Sequence, residues 1–363
     1  MPDSARTPSS SQSVPAALWS GPLDVIGDIH GEFEALQALL DVLGYRVDGS
    51  HPDSRRLVFV GDLCDRGPDS PAVIHQVADF VAAGRAQCVL GNHELNLLRG
   101  SPKPANGWFF ATDHDRAAGK FADCRQATAG ERDRFLAFFA SLPLALERPD
   151  LRVVHAAWHA ESLASLRREL PGRSVLEVYR EHAAASERWA ETTHLRRDAG
   201  EEYLAWGQRL DDDSIPVPLL PAIGAMDEHF QMSNPVRVPT SGVERRADRP
   251  FFASGKWRMV ERVPWWHGYA DDVPVLFGHY WRWSDPSAAA RYSRGERDLF
   301  AGIAHNAWTG PRRNAFCVDF SVGVRYRERA HGPGQPFLGR LGAVRWPERE
   351  LVYDDGEWLP MTG

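Results

Sequence analysis

Three short stretches in the first hundred residues indicate the fold: GDIHG at residues 27–31, GDLCDRG at 61–67 and GNHE at 91–94. Each follows a run of apolar, often β-branched residues, and these runs lie at 23–26, 57–60 and 88–90. Runs of this kind are typical of buried strands in a parallel sheet. The sequence therefore predicts three strands, each ending in a turn that combines glycine with Asp, Asn or His.

The polar residues of these turns are expected to meet at one edge of the sheet. Ligand sites of α/β proteins form where parallel strands end at their carboxyl side. Glycine lets the backbone turn sharply there and come close to a bound ion or phosphate. Carboxylate, amide and imidazole groups are ligands for Mn, Fe, Zn or Mg. We interpret the pattern as a phosphoesterase site that holds two metal ions.

Composition and charge limit the class of protein. The chain has 363 residues, of which 43% are hydrophobic and 25% charged, so it is long enough to bury a large core. Its formal net charge of −7 argues against bulk binding to nucleic acid. We see no apolar run long enough to cross a bilayer, so no membrane partner is expected.

The cysteines and residues 1–20 indicate the cellular compartment of the protein. The four cysteines are widely spaced and form no CxxC pair, so a disulfide framework or zinc knuckle is not expected. Residues 1–20 are rich in Ser, Pro and Ala and lack the basic-then-apolar order of a signal peptide. This composition predicts a disordered tail. We expect a cytoplasmic protein.

The remaining pattern predicts a single domain over 21–363 that contains an insertion. Apolar residues recur every three or four positions at 33–43 and 73–80, which predicts a helix after each of the first two turns. Residues 160–270 are interpreted as a cap-like insertion, helical up to about 210 and then made of loops with a few short strands. A further helix is expected around 132–140, and further strands at 151–154, 273–277, 315–320, 341–346 and 350–353.

Six residues that follow apolar runs are candidate metal ligands: Asp28, His30, Asp62, Asn92, His155 and His279. A carboxylate has two oxygens and can bridge two cations that lie about 3.5–4 Å apart. Asp62 heads the middle turn, so we expect it to be the bridge. Asp28, His30 and Asp62 would hold one metal, and Asp62, Asn92, His155 and His279 would hold the other.

Three further residues are candidates for catalysis. His93 follows Asn92 directly, and its imidazole could protonate a leaving alkoxide. Asp65 is suitably placed to orient His93 and keep it charged. Arg66 has a planar fork that matches two phosphate oxygens. The attacking group would be a water or hydroxide held between the two metals, with a lowered pKa.

The three stretches, in this order and spacing, resemble the signature of the calcineurin-like metallophosphoesterases. They are most similar to the phosphoprotein-phosphatase branch, which includes bacterial diadenosine tetraphosphatases and bacterial serine/threonine phosphatases. VVHA at 153–156 and FGH at 277–279 look like the two later metal histidines of the family. The resemblance implies an α/β fold in four αββα layers, with two mixed β-sheets flanked by helices. It also implies a dinuclear site and the roles given above to the nine named residues.

Two assignments stay open in the sequence. The segment HAAWH at 155–159 departs from the family pattern, so His159 could compete with His155 for the metal. A second phosphate-binding arginine is common in the protein phosphatases, and Arg237 is the candidate here. Together with Arg66 and Asn92, it would contact the substrate.

Each feature alone has a simpler explanation. Asp28, Asp62 and Asn92 could each cap a helix. Asp65 and Arg66 could form a surface ion pair of little energetic value. A single histidine is a weak motif. Because all these features occur together in three strand-end turns, we favour the metal site.

The predicted function is metal-dependent hydrolysis of phosphate esters or anhydrides. Manganese is the preferred metal, and Fe, Zn, Ni or Mg are compatible with the same ligand types. The expected substrate is a dinucleoside polyphosphate or a phosphoprotein. The alternatives are a serine/threonine protein phosphatase specifically, a nucleic-acid end phosphatase, and a catalytically inactive binding module. An inactive module would be expected to have lost ligands.

Overall fold

The protein is built around two β-sheets. The structure, a computed structural model, describes residues 13–363 except 113, 116–117, 119, 254, 293–295, 331 and 333–335. The strands of the described residues are β1 Ala16–Ala17, β2 Leu23–Ile26, β3 Arg56–Phe59, β4 Ala86–Cys88, β5 Ala145–Arg148, β6 Leu151–Val154, β7 Glu244–Ala253, β8 Lys256–Arg262, β9 Val275–Phe277, β10 Ala315–Cys317, β11 Gly342–Trp346, β12 Glu350–Tyr353 and β13 Trp358–Pro360.

Both large sheets are mixed, as the sequence predicts. One has the strand order β13-β12-β11-β2-β3-β4, and the other has the order β1-β5-β6-β9-β10. Strands β2, β3 and β4 are parallel to one another, while β11 runs antiparallel to β2. In the second sheet, β6, β9 and β10 are parallel and β5 is antiparallel to β6. The three parallel strands β2, β3 and β4 place their carboxyl ends side by side.

Helices flank the two sheets. The α-helices that lie wholly within the described residues are α1 Phe33–Leu43, α2 Ser70–Ala82, α3 Asn92–Leu98, α4 Gly107–Phe110, α5 Ala129–Ser141, α6 Ala160–Glu169, α7 Val175–Thr192, α8 Leu195–Trp206, α9 Pro221–Met232, α10 Arg237–Ser241, α11 Pro286–Tyr292 and α12 Arg325–Arg329. The first hundred residues therefore alternate strand and helix, which confirms the predicted βα repeats.

The alternation of side chains along the strands divides the core. Val25 and Val58 point to one face and pack with Val153 and Phe316 of the other sheet. Neighbouring residues of the same strands point to the opposite face, where Phe59 belongs to the cluster that includes the buried faces of the helices. Since successive strand residues face opposite sides, one sheet can pack against a sheet and a helix layer together. This confirms the predicted four-layer architecture.

Local signals fix the ends of the first two helices. Gly44 follows α1 in the left-handed conformation with φ of 87°, which suits glycine at a helix end. Helix α2 begins after Asp69, whose side chain accepts a hydrogen bond of 2.8 Å from the backbone N–H of Ala72. These ends set where the turns of the site begin and stop.

The insertion contains more regular structure than the sequence indicated. Helices α6, α7 and α8 lie where helices are expected, but the prediction of loops with short strands for 211–270 is wrong. That segment contains the twelve-residue helix α9 and the long antiparallel hairpin of β7 and β8. Ile223 of α9 and Met259 of β8 pack with Ala199 and Leu210 in a small separate core. Because these contacts join distant residues, local periodicity did not reveal them.

The N-terminal segment is also more ordered than expected. Strand β1 pairs in parallel with β5, and the side chains of Val14 and Leu18 on either side of it are buried. The expectation of a disordered tail is therefore wrong for residues 13–20, because this short apolar segment adds to a sheet edge. Residues 1–12 lie outside the described residues. Within the described ranges, no helix is long and apolar enough to cross a membrane.

Candidate metal centre and active site

The turns after β2 and β3 hold unusual backbone conformations. Four residues other than glycine have positive φ there: His30 at 50°, Asp62 at 49°, Asp65 at 72° and Arg66 at 71°. Such conformations are unfavourable for most side chains and concentrate at functional sites. The backbone N–H groups of Ile29 and His30 donate to the carbonyl of Asp62 at 3.0 and 2.9 Å, which joins the two turns.

The carboxylate of Asp62 lies at the centre of the site. Its Oδ2 is 3.8 Å from Nε2 of His30 and 3.8 Å from Nε2 of His93, and its Oδ1 is 3.4 Å from Nε2 of His155. Possible ligand atoms of His30, Asp62 and His93 lie within 4.8 Å of one another, as do those of Asp62, His155 and His279. Two candidate cation sites therefore share Asp62.

Asp28 and Asn92 extend these two groups. Oδ2 of Asp28 is 3.9 Å from Nε2 of His30, and the same oxygen accepts a hydrogen bond of 3.1 Å from the backbone N–H of His279. Oδ1 of Asn92 is 3.1 Å from Nε2 of His155. The structure thus brings together all six residues that the sequence nominated as ligands, from the ends of strands in both sheets.

Two glycines permit this close approach of backbone and carboxylate. A Cβ atom at Gly278 would lie 2.0 Å from Oδ1 of Asp28, and a Cβ atom at Gly91 would lie 2.3 Å from Oδ1 of Asp62. Real Cβ atoms do not come so close to another atom. A larger residue at either position would therefore displace the carboxylates.

Backbone carbonyls orient two of the imidazoles. Nδ1 of His30 is 3.0 Å from the carbonyl of Cys64, and Nδ1 of His155 is 2.8 Å from the carbonyl of Val60. A carbonyl only accepts hydrogen bonds, so each Nδ1 carries a proton and each Nε2 points at Asp62. Metal-binding histidines are oriented in this way. Nε2, carboxylate and amide oxygens together fit a divalent cation such as manganese, iron or zinc.

The buried charges of the site strongly affect one another. Burial raises the pKa of Asp28 well above its ordinary value, and the nearby carboxylate of Asp319 adds to this. Burial would also raise the pKa of Asp62, but His155 and His93 lower it well below its ordinary value. Conversely, burial disfavours a charged His155, yet the two carboxylates raise its pKa to about 10. The carboxylates of the site therefore favour a positively charged group beside them.

His93 is held between two carboxylates. Its Nδ1 is 2.5 Å from Oδ2 of Asp65, while its Nε2 faces Oδ2 of Asp62. Burial works against a charged imidazole, but Asp62 and Asp65 raise the pKa of His93 above its ordinary value. Asp65 also accepts hydrogen bonds from Nδ2 of Asn106 at 2.6 Å and from Nε1 of Trp108 at 2.5 Å. Sequence reasoning missed both of these donors.

Arg66 lies beside the candidate cation site that includes His30. Its Nη1 is 2.8 Å from Nε2 of His30, and its Nη2 is 3.4 Å from Nε2 of His93. The guanidinium carbon lies 4.8 Å from the centre of the Trp281 ring. Burial lowers the pKa of Arg66. A fork of N–H groups at this position can reach the oxygens of a phosphate bound beside the two histidine groups.

His155 and His159 have different surroundings. His155 lies beside Asp62, whereas His159 lies at the start of α6. Nδ1 of His159 accepts a hydrogen bond of 3.3 Å from the backbone N–H of Ser162 and so caps that helix. Of the two alternatives, the structure therefore brings only His155 to the candidate metal centre.

The second arginine beside the site is not the one that the sequence suggested. Arg237 donates from Nη1 to the carbonyl of Phe230 at 3.4 Å. Among the described residues, no hydrogen bond or ion pair links it to the candidate ligands. In contrast, Nη1 of Arg262 donates to the carbonyl of His279 at 3.2 Å, and Arg262 lines the same cleft as Arg66. Arg262 belongs to β8, in the segment that sequence reasoning interpreted as loops.

The chain matches a known protein family. The model of the calcineurin-like phosphoesterases matches residues 21–211, which is more than half of the chain. This chain belongs to the calcineurin-like phosphoesterase family. The matched segment contains all three turns and His155. Use of divalent metals by this phosphoesterase family agrees with the two groups of possible ligands around Asp62.

Relatives of this calcineurin-like phosphoesterase are similar over part of its length. It is 36% identical over 157 residues to the bis(5'-nucleosyl)-tetraphosphatase PrpE of Bacillus velezensis, which covers 40% of this chain and 61% of the relative. It is 49% identical over 79 residues to the protein of the same name from Halalkalibacterium halodurans, which covers 21% of this chain and 32% of the relative. The chain thus spans less than two thirds of either relative.

A solved structure is also similar to this calcineurin-like phosphoesterase. The cold-active protein-tyrosine phosphatase of a psychrophilic Shewanella species is 14% identical, and the alignment covers 100% of this chain and 87% of that protein with a TM-score of 0.46.

Two buried carboxylates support the site of this family member without belonging to the predicted set. Glu94 accepts hydrogen bonds from the backbone N–H groups of Asp62 at 2.9 Å, Leu63 at 2.8 Å and Gly91 at 3.1 Å. It therefore ties the third turn to the second. The position of Glu94 in the GNHE stretch indicates that it lies near the site, but the sequence does not show which backbone groups donate hydrogen bonds to it. The second carboxylate, Asp319, follows β10 and has no comparable motif.

Proposed function

We propose that this protein hydrolyses dinucleoside polyphosphates and uses two divalent metal ions to do so. Manganese is the preferred metal. One observation carries the proposal: the carboxylate of Asp62 lies 3.4–3.8 Å from three imidazoles and is shared by two groups of possible ligands. The tetraphosphatase relatives support the choice of substrate. They give no support to a phosphoprotein or a nucleic-acid end, and the complete set of ligands argues against an inactive binding module.

The proposed metal ligands keep the two sets expected from the sequence. Asp28, His30 and Asp62 would hold one ion, and Asp62, Asn92, His155 and His279 would hold the other. When bound, such ions supply Lewis-acid chemistry, which polarises phosphoryl oxygens and makes water more acidic. The orientation of His30 and His155 by backbone carbonyls supports these assignments.

The chain itself contributes phosphate binding and a proton donor. Arg66 binds the phosphoryl group, because its two parallel N–H groups match two phosphate oxygens. His93 donates the proton of its Nε2 to the leaving oxygen. Asp65 holds Nδ1 of His93, so that Nε2 stays directed towards the substrate. The raised pKa of His93 supports this role, since Asp62 and Asp65 favour the protonated imidazole.

We also propose that residues 160–270 form a cap beside this site within a single catalytic domain. The separate small core around Ile223 and Met259 supports a unit that is stable as an insertion. A cytoplasmic location is part of the proposal. It is supported by the cysteines Cys64, Cys88, Cys124 and Cys317, all of which are free thiols.

Hydrolysis of diadenosine tetraphosphate tests the proposed function. The purified chain with Mn²⁺ should cleave it, and chelation should stop the reaction until Mn²⁺ is restored. Asp62→Asn should lower the rate at least about 100-fold, because both cation sites lose a charged ligand. His159→Asn, which keeps a helix-capping side chain, should retain normal activity. If Mn, Fe, Zn, Ni and Mg all fail to support cleavage, the substrate is wrong. If p-nitrophenyl phosphate is also inert, the hydrolase proposal fails.

A further inference from the structure

A cleft lined by aromatic and arginine side chains opens next to Arg66. Its walls include Arg66, Arg262, Trp281, Trp283, Tyr292 and Arg327. Trp281 and Trp283 are partly exposed, and Tyr292 is buried. Because Arg66 also contacts His30 and His93 of the candidate metal centre, the cleft lies directly beside that centre.

The aromatic wall is attached to a turn of the metal centre. Trp281 follows the candidate ligand His279 by two residues and has a positive φ of 50°. Its backbone N–H donates to Oδ2 of the buried Asp319 at 2.9 Å, and the N–H of Ser321 donates to Oδ1 at 2.8 Å. Asp319 therefore holds the backbone of Trp281 in an otherwise unfavourable conformation. This fixes the indole beside the guanidinium of Arg66.

The rings of the wall are arranged as a platform. Trp281 and Trp283 meet edge to face, with centroids 6.1 Å apart and an angle of 69°. Trp283 stacks on Tyr292, with centroids 5.8 Å apart and an angle of 17°. Partly exposed indoles that line a cleft can stack on a planar ring, and such stacking tolerates any nucleobase.

Charge in the cleft favours an anionic group. Four arginines line the cleft, and they are opposed by two carboxylates, Glu296 and Asp298. Nε of Arg262 lies 3.7 Å from Oε1 of Glu296, so part of this charge is paired. The four arginines therefore leave an excess of positive charge in the cleft. A ligand suited to this cleft combines a planar ring with phosphates that extend towards the metal centre.

We propose that this cleft binds a nucleoside end of the dinucleoside polyphosphate. The base stacks on Trp281 and Trp283, and the phosphates follow Arg66, Arg262 and Arg327 into the metal centre. This inference rests on the proposed function, because it needs a phosphate chain bound at that centre. It goes further by assigning recognition of the nucleoside to the turn after His279.

Trp281 and Trp283 could instead serve only to pack the fold, and the experiment must distinguish this role from nucleoside binding. Both pack against a small apolar cluster formed by Ala288, Tyr292 and Val324. In that explanation they anchor α11 and bind nothing. Trp266 is an example of such an anchor, since it is fully buried and stacks on Phe300.

A matched pair of hydrolysis-resistant ligands tests the cleft. Adenosine 5'-(α,β-methylene)diphosphate and methylenediphosphonate share the P–CH2–P unit, and only the first carries a nucleoside, which is esterified to one of the two phosphorus groups. Calorimetric titration in Mn²⁺ should show tighter binding of the adenosine compound to the wild type. Trp283→Leu keeps apolar bulk but loses the aromatic face, so it should weaken that compound about 5- to 30-fold. The binding of methylenediphosphonate should change less than about twofold.

Two further variants keep the result interpretable. Trp283→Phe should restore binding of the adenosine compound to within about threefold of the wild type. Trp358→Leu removes an exposed tryptophan of β13 and should change neither ligand. Equal weakening of both ligands by Trp283→Leu would assign Trp283 to packing and overturn the inference. Equal affinity of the wild type for both ligands, or binding of neither, would also overturn it. None of these titrations requires turnover, so they are independent of whether diadenosine tetraphosphate is hydrolysed.

Discussion

Nδ1 of His93 lies 2.5 Å from Oδ2 of Asp65, and this pair joins the second and third turns of the site. The Asp65 carboxylate is further occupied by the side-chain N–H groups of Asn106 and Trp108. With three donors around it, the carboxylate has little freedom to rotate. The imidazole of His93 is therefore held so that Nε2 faces Asp62 and the space where a substrate would bind.

His93→Ala should abolish most of the proton donation while leaving the metals bound. We expect kcat to fall about 10²- to 10⁴-fold for an alkyl phosphate, whose leaving oxygen needs a proton. The fall should be smaller for p-nitrophenyl phosphate, because its leaving group departs as an anion. Steady-state kinetics on both substrates and metal content by mass spectrometry check this. An equal fall on the two substrates would remove His93 from the acid role.

Trp108→Phe should slow the reaction through Asp65. The change removes one hydrogen bond to the carboxylate and keeps an aromatic ring in the core. Hydrogen bonds to charged groups contribute about 1.5–3 kcal/mol, so we expect kcat to fall about 10-fold with KM nearly unchanged. The loss should again be larger for the alkyl phosphate than for p-nitrophenyl phosphate. If KM rises as much as kcat falls, Trp108 acts on substrate binding and not through His93.

His155→Ala should lower the metal content of the protein, whereas His159→Ala should leave it unchanged. His155 lies 3.4 Å from Asp62, whereas His159 caps α6, so only the first change should release metal. We expect about half of the bound metal to be lost after dialysis of His155→Ala, because one of two sites loses a ligand. His159→Ala should keep its metal and lose about 1 kcal/mol of stability. The reverse result would show that His159 is the ligand.

Arg262→Ala and Arg237→Ala should differ in their effect on substrate affinity. Arg262 lines the cleft with Arg66, while Arg237 donates a hydrogen bond to the carbonyl of Phe230. We expect Arg262→Ala to raise KM about 10-fold, as for the loss of a charged hydrogen bond. Arg237→Ala should leave KM within about twofold of the wild type. Initial-rate kinetics with diadenosine tetraphosphate would detect the difference, and a raised KM in Arg237→Ala would restore the sequence-based assignment.

Glu131→Gln should remove part of the acid sensitivity of the fold. Burial alone would raise the pKa of Glu131, but hydrogen bonds from the backbone N–H of Thr128 and from the side chain of His75 lower it to about 2. Because this folded-state pKa lies below the ordinary value, the charge stabilises the fold above about pH 4.5, and this stability is lost as the pH falls towards 2.

Urea unfolding at several pH values measures this effect. After allowance for solvent screening, we expect the wild type to exceed Glu131→Gln by about 1–2 kcal/mol at pH 6, with the difference shrinking at pH 3. Glu161→Gln is the control, since Glu161 is an exposed residue in the first turn of α6. A difference that stays constant with pH would mean that the charge of Glu131 does not matter.

Much of the site could be predicted because its signals are local. Asp28 and His30 lie in one turn, and Asp65, Arg66 and Asp62 lie in another, so the order of residues already shows that they come together. Strands β2, β6 and β12 begin and end where the sequence predicts, because their apolar runs are short and bounded by turn residues. Strand β4 lies two residues before its predicted position, at Ala86–Cys88, since hydrogen bonding to β3 and not hydrophobicity sets its ends.

Other parts could not be predicted, because their contacts join distant segments. Asn106 and Trp108 follow Asp65 by 41 and 43 residues, and nothing in their local sequence points to a carboxylate. The sequence of the strand that contains Arg262 predicts a loop, because its charged residues interrupt the alternation of apolar and polar side chains that is typical of a strand. It becomes a strand only by pairing with β7.

The order of residues is enough to indicate the kind of chemistry, because acidic, amide and imidazole side chains stand in glycine-bounded turns after parallel strands. This follows because strand periodicity and turn composition are local properties. Three further facts needed the folded chain: His155 and not His159 lies beside Asp62, Arg262 and not Arg237 lines the cleft with Arg66, and Trp281 lines the same cleft. Those choices depend on how two sheets pack face to face, which is governed by contacts between residues far apart in the chain.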